Sequence, residues 1–137
     1  MPLDYTVDRD NRLVIITGDY GTPSAWAALL ARIQQDPHLE PGFAFLRDLR
    51  GATTPIDVAG VVAIMDAVRR VWPLVEPSRG AILTPDTFDV AALAAHALAD
   101  NHGLPIRMFT NYEAAIEWLR EGALSPDTAP GPDKYGS

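Results

Sequence analysis

The chain has 137 residues, with 18 acidic against 11 basic side chains and a net charge of −7. That length fits one domain, and 47% hydrophobic with 21% charged residues is a globular composition, not a disordered or collagenous one. Ten of the eleven bases are arginine and the only lysine is Lys134, which argues against a nucleic-acid partner, while the lack of cysteine excludes disulfides, thiolate zinc sites and a cysteine nucleophile.

Leu3, Tyr5 and Val7 alternate with Asp4, Thr6 and Asp8, the period of a strand with one wet face. Asp8-Arg9-Asp10-Asn11 is turn chemistry, and Leu13-Val14-Ile15-Ile16-Thr17 resumes as a strand apolar on both faces, so the pair reads as a hairpin. Trp26, Leu29, Leu30 and Ile33 then fall on one helical stripe, with Thr22 as cap and Pro23 in the first turn. Phe43-Ala44-Phe45-Leu46 reads as a short strand running into Arg47-Asp48-Leu49-Arg50-Gly51.

The same plan recurs three times. Val58, Val61, Val62, Met65, Val68 and Trp72 stripe a helix, and Ala81-Ile82-Leu83 forms a strand. Phe88, Ala91, Ala92, Ala95, Leu98 and Ala99 stripe an alanine-rich helix. Ile106-Arg107-Met108-Phe109 is the last strand, and Ala115, Ile116 and Leu119 mark the last helix. Thr54-Pro55 and Thr84-Pro85 repeat the Thr22-Pro23 pattern, and Asn111 is placed to cap the final helix. Such junctions define β–α units on a mostly parallel sheet. The expected fold is α/β: a five-stranded mixed sheet made by an N-terminal hairpin and four strand–helix units. Residues 1–122 form the domain, and 123–137, rich in proline and poor in apolar groups, read as a disordered tail. No apolar leader precedes Asp4, and the longest uncharged helical stretch is too short for a bilayer. A cytoplasmic location without membrane insertion is therefore expected.

Ligands of open α/β sheets gather beyond the carboxyl ends of the strands. Here those regions are Asp48 to Thr54, Thr84 to Asp89 and Thr110 to Glu113. Arg50 is their one obvious cation, and a pairing of Arg50 with a nearby carboxylate is the simpler account. Asp48 after an apolar strand resembles a phospho-accepting receiver aspartate. The acidic pair and the lysine that chemistry needs have no counterparts in Gly18-Asp19-Tyr20 or Thr110-Asn111-Tyr112, so that reading fails. His38, His96 and His102 have no metal-pair spacing, and no serine sits in a nucleophile elbow. No cofactor, metal or catalytic residue is expected. Small residues on the second helix (Ala63, Ala67) and the third (Ala91, Ala94, Ala95, Ala99) fit close internal packing.

Asp48-Leu49-Arg50-Gly51, followed by Asp57-Val58-Ala59-Gly60-Val61 at the start of an amphipathic helix, resembles the central segment of anti-sigma factor antagonists, the STAS domains. With the order of elements over residues 3–121, the chain resembles the SpoIIAA-like group of STAS and Sec14-type folds found as stand-alone bacterial proteins. The resemblance implies β–α units wound as a right-handed superhelix and an interaction surface at Asp48, Arg50, Thr53, Thr54, Asp57, Val58, Ala59 and Gly60. The phosphorylatable serine of those antagonists is missing, because Val58 and Ala59 stand there. The implied function is a non-catalytic regulatory or protein-interaction module with an unidentified protein partner. The alternative is a small-molecule or lipid carrier of Sec14-like type, taking a small apolar ligand. Strands apolar on both faces need cover on both, from which a homodimer is expected.

Overall fold

The alternating N-terminus forms the hairpin its pattern requires. β1 (Asp4–Asp8) and β2 (Leu13–Thr17) pair antiparallel, with Tyr5 opposite Ile16 and Val7 opposite Val14. The turn is held by the Asp8 carboxylate, which accepts from the Asn11 backbone N–H at 3.2 Å and from its Nδ2 at 2.8 Å. A computed structural model describes residues 2–52, 57–75, 79–85 and 90–124. After β2 follow α1 (Pro23–Gln34), β3 (Ala44–Asp48), α2 (Val58–Val75), β4 (Gly80–Leu83), α3 (Val90–Asn101), β5 (Ile106–Phe109) and α4 (Tyr112–Leu124).

The sheet order is β1-β2-β3-β4-β5, antiparallel at the first pair and parallel through the other three. Each crossover therefore moves one strand over in the same direction. Crossovers of one hand then place their helices on one face, and α1, α2 and α3 do pack side by side there. Val14, Ile16 and Phe45 meet Trp26, Leu29, Leu30 and Ile33 of α1, while Ile82 meets Ala92 of α3. The small residues of α3 (Ala94, Ala95 and Ala99) pack with Val61, Met65 and Val68 of α2.

Among the described residues no strand follows α4, so no crossover rule holds it to that face. It lies on the other, where Ala115 and Leu119 cover Leu13, Ala44, Leu46, Ala81 and Leu83. The β1 end of that face presents Asp4, Thr6 and Asp8, which need no cover. The apolar second face from which a homodimer was expected is thus met within the chain.

Two caps are as expected: Thr22 Oγ1 accepts from the Ala25 N–H at 3.1 Å, and Asn111 Oδ1 from that of Ala114 at 2.9 Å. At α2 the cap is Asp57, which accepts from the Gly60 N–H at 2.8 Å; Thr54 lies outside the described residues. Thr84 is fully buried and its N–H extends the ladder to the Phe109 carbonyl, and residues 86–89 that follow it lie outside the described residues. Helix α4 runs on to Leu124, past the boundary expected at residue 122, since a single glycine at 122 weakens a helix without ending it. Residues 125–137, most of the expected tail, lie outside the described residues. Among the described residues, no helix is long and apolar enough to cross a membrane.

Candidate functional site

The surface expected from the resemblance resolves into local pairings. Asp48 ends β3 and accepts from Arg50 three times: from its backbone N–H and its Nε at 3.0 Å each, and from its Nη2 at 2.9 Å. These bonds hold the Asp48 carboxyl below the ordinary carboxylate pKa, the Arg50 side chain being the main cause. Arg50 also lies over the Tyr112 ring, 5.3 Å from its centroid. The cation is therefore spoken for, as the simpler account had it. Asp57 and Gly60 are joined by the cap, Ala59 is exposed, and Thr53 and Thr54 lie outside the described residues. Val58 and Val62 were expected on the inward stripe of α2, but they are 52% and 46% exposed. This helix is apolar on more than one side, and the stripe that meets the core is Val61, Ile64, Met65 and Val68.

Beneath that stripe is a partly open pocket of about 100 Å³, bordered by β3 and β4 below, α2 above, and parts of α1 and α3 at the sides. None of the eight expected surface residues lines it. Its existence follows from side-chain size. On this face β4 offers Gly80 and Ile82, and α3 contributes only Ala92 and Ala95, so nothing large rises to meet α2 between them. Trp72 fills part of the gap, its ring standing 3.1 Å from where a Cβ on Gly80 would be. Phe45, Trp26 and Met65 complete an almost wholly carbon wall.

One lining residue is charged. Arg47 stands on β3 at the alternation shared with Phe45, so its side chain enters the helical face of the sheet. Its Nη1 donates to the carbonyls of Ile16 (3.3 Å) and Asp48 (3.4 Å), and its Nη2 to those of Gly18 (3.1 Å) and Asp19 (2.7 Å). The guanidinium carbon lies 5.5 Å from the centroid of the Trp26 ring. Trp26 is in turn fixed by its Nε1, which donates to the Tyr20 carbonyl at 2.6 Å. Burial pulls the guanidinium pKa down to about 10, and it stays charged at neutral pH. Sequence reasoning missed both the cavity and Arg47. The available signals were a charged residue on the buried alternation of β3 and the run of small residues in α3.

Among the described residues, no group of three or more histidine, aspartate or glutamate side chains could hold a metal ion. No family model, curated protein or solved structure matches the chain.

Proposed function

We propose that the protein is a non-catalytic binding protein that holds a small apolar ligand between β3–β4 and α2. The observation that carries this reading is the carbon-lined cavity itself. Cores normally pack without voids larger than a water, and small-molecule sites are concave and lined mostly by apolar side chains. Pockets for drug-sized molecules run to roughly 300–1,000 Å³, so about 100 Å³ favours a small molecule over a whole lipid of the Sec14 type. The direct test is a thermal scan of the full chain with small neutral hydrocarbons. Saturable stabilisation by any of them is expected, and its absence for all would reject the reading.

A second reading keeps the interaction surface at the start of α2. It is favoured by the exposure of Val58 (52%) and Val62 (46%), one turn apart on α2, since exposed apolar groups close together mark binding surfaces. Native mass spectrometry of freshly purified protein separates the two, because a retained small molecule and a retained protein differ plainly in mass.

A further inference from the structure

We propose that the outer edge of β5 docks an extended acidic peptide, which adds to the sheet as a further strand and sets a carboxylate beside Arg107. This surface is independent of the ligand-binding reading.

The backbone comes first. β5 ends the sheet order, so β4 is its one neighbour in the ladder. Ile106 stands opposite Gly80 and Met108 opposite Ile82. The Gly80 N–H donates to the Pro105 carbonyl and the Thr84 N–H to the Phe109 carbonyl, each at 2.9 Å. A parallel ladder engages alternate residues of a strand. Arg107 and Phe109 therefore turn their backbone groups to β4, while the Met108 N–H and C=O and the Ile106 C=O point outward. The Ile106 N–H is met by the Leu104 carbonyl at 2.8 Å. Among the described residues, the outward groups of Met108 have no partner.

The opposite edge is blunted. On β1 the Tyr5 N–H already donates to Asp4 Oδ1 at 2.8 Å. Asp4 and Tyr5 point to opposite faces, yet Arg32 lies 5.2 Å from the Tyr5 ring centroid and also reaches Asp4 Oδ1 at 3.4 Å. Its side chain thus passes round the β1 edge, a charged cover of the kind that prevents strand addition. Arg107 does not do the same for β5. It is drawn over α4, its guanidinium carbon 5.3 Å from the centroid of the Trp118 six- and five-membered ring system and 5.7 Å from that of Phe109.

The side chains then define the partner. Ile106 and Met108 project on the face of α3, and Arg107 and Phe109 on the face of α4. An added strand therefore meets an apolar group, a cation and an apolar group in turn, and a carboxylate between two apolar residues matches that alternation. Arg79, over the same indole at 4.6 Å, has Glu121 at 3.7 Å. Arg107 is exposed and, among the described residues, makes no ion pair or hydrogen bond. Its stacked plane presents a held fork to a carboxylate. A second copy of β5, Ile-Arg-Met-Phe in sequence, brings no acid and leaves Arg107 unmatched. Addition of a peptide strand at an open edge takes its affinity from main-chain bonds and its specificity from alternate side chains.

The test is calorimetric titration of the full chain with a capped heptapeptide that alternates valine with threonine and has glutamate at its centre. Counterparts have glutamine or lysine there. Glutamate should bind saturably, and tighter than glutamine by at least about threefold, with lysine weakest. Arg107→Glu should reverse the order. Binding should slow hydrogen exchange at the Met108 amide. Met108→Pro removes the outward N–H and spares the ladder to β4, so it should weaken the glutamate peptide at least about fivefold with native circular dichroism. If that variant does not fold, the peptide methylated at its backbone nitrogens replaces it and should not bind. Equal binding of the glutamate and lysine peptides overturns the acidic preference. Binding by none of them, or binding that leaves Met108 exchange unchanged, overturns the site. A doubled mass of the chain alone in light scattering, lost with Met108→Pro, makes a second copy the occupant and overturns the proposal.

Discussion

Arg47 Nη2 donates to the carbonyl oxygen of Asp19 at 2.7 Å, so the turn leading into α1 hangs on a side chain from the middle of the sheet. Two further carbonyls of the same approach, those of Ile16 and Gly18, accept from the same guanidinium. Replacing Arg47 by methionine keeps the apolar stem and removes every donor. Each buried acceptor left without a partner costs about 1–3 kcal/mol, and some will be reached by water. Arg47→Met should therefore lose about 2–4 kcal/mol in urea unfolding. A loss below about 0.5 kcal/mol would show that the carbonyls are satisfied without it.

Gly18 has a backbone φ of +99°, and a Cβ there would collide with the carbonyl of Pro2. The colliding group is backbone and cannot swing aside. Gly18→Ala combines that collision with left-handed strain, for a cost of at least about 2 kcal/mol. A midpoint equal to that of the parent would contradict the turn geometry.

Gly80 poses the opposite case. A Cβ there would stand 3.1 Å from both Ile106 Cγ1 and Trp72 Cη2, and both are side-chain atoms bordering the cavity. They have room to retreat. Gly80→Ala should change stability by less than about 1 kcal/mol, and Gly80→Ile, which overfills the space, should cost about 1–3 kcal/mol. Thermal scans of the two variants distinguish a yielding wall from a rigid one, for which both would be severe.

The Asp48 carboxyl is held below its ordinary pKa by Arg50. Its contribution to stability is thus complete above the unfolded value of about 3.9 and fades as pH falls through the lower folded value. Asp48→Asn should be less stable than the parent at pH 7 by under about 1 kcal/mol, because Arg50 is half exposed and solvent screens the pair. The gap should close in the acid range. A difference independent of pH down to pH 2 would exclude the carboxylate as its source.

On the resemblance to STAS antagonists proposed from the sequence, Val58 and Ala59 would stand at the phosphorylated serine, and neither has a hydroxyl. Incubation with an anti-sigma-type kinase and ATP should leave the mass unchanged. Ala59 is exposed in the first turn of α2, so Ala59→Ser should fold with stability within about 0.5 kcal/mol of the parent. A phosphate mapped to Thr53 or Thr54 would contradict this expectation.

The order of elements was legible because period two and period 3.6 are local properties. Asp4 to Asp8 alternates whatever the rest of the chain does, and Trp26, Leu29, Leu30 and Ile33 share a stripe as soon as a helix forms. Caps followed where one residue dominated, as at Thr22 and Asn111. At α2 the bond found is from the Gly60 N–H to Asp57, a cap that the Thr54-Pro55 pattern did not point to.

Other features belong to the assembled structure alone. Helix α2 is apolar on more than one side, and only its seat between α1 and α3 turned Val61, Ile64, Met65 and Val68 inward while leaving Val58 and Val62 outside. Whether small residues mean close packing or empty space depends on what faces them. The alanines of α3 do both, packing against α2 along one line and leaving a gap above Gly80 along another. Arg47 reads in sequence as one more charge in a turn-bound run. Its role arises because the alternation of β3 drives it under α1, where the nearest acceptors are carbonyls of a loop some 28 residues earlier in the chain. Periodicity is written in neighbours along the chain, whereas a cavity and a buried cation are made by residues distant in sequence, and no local pattern encodes the distance between them.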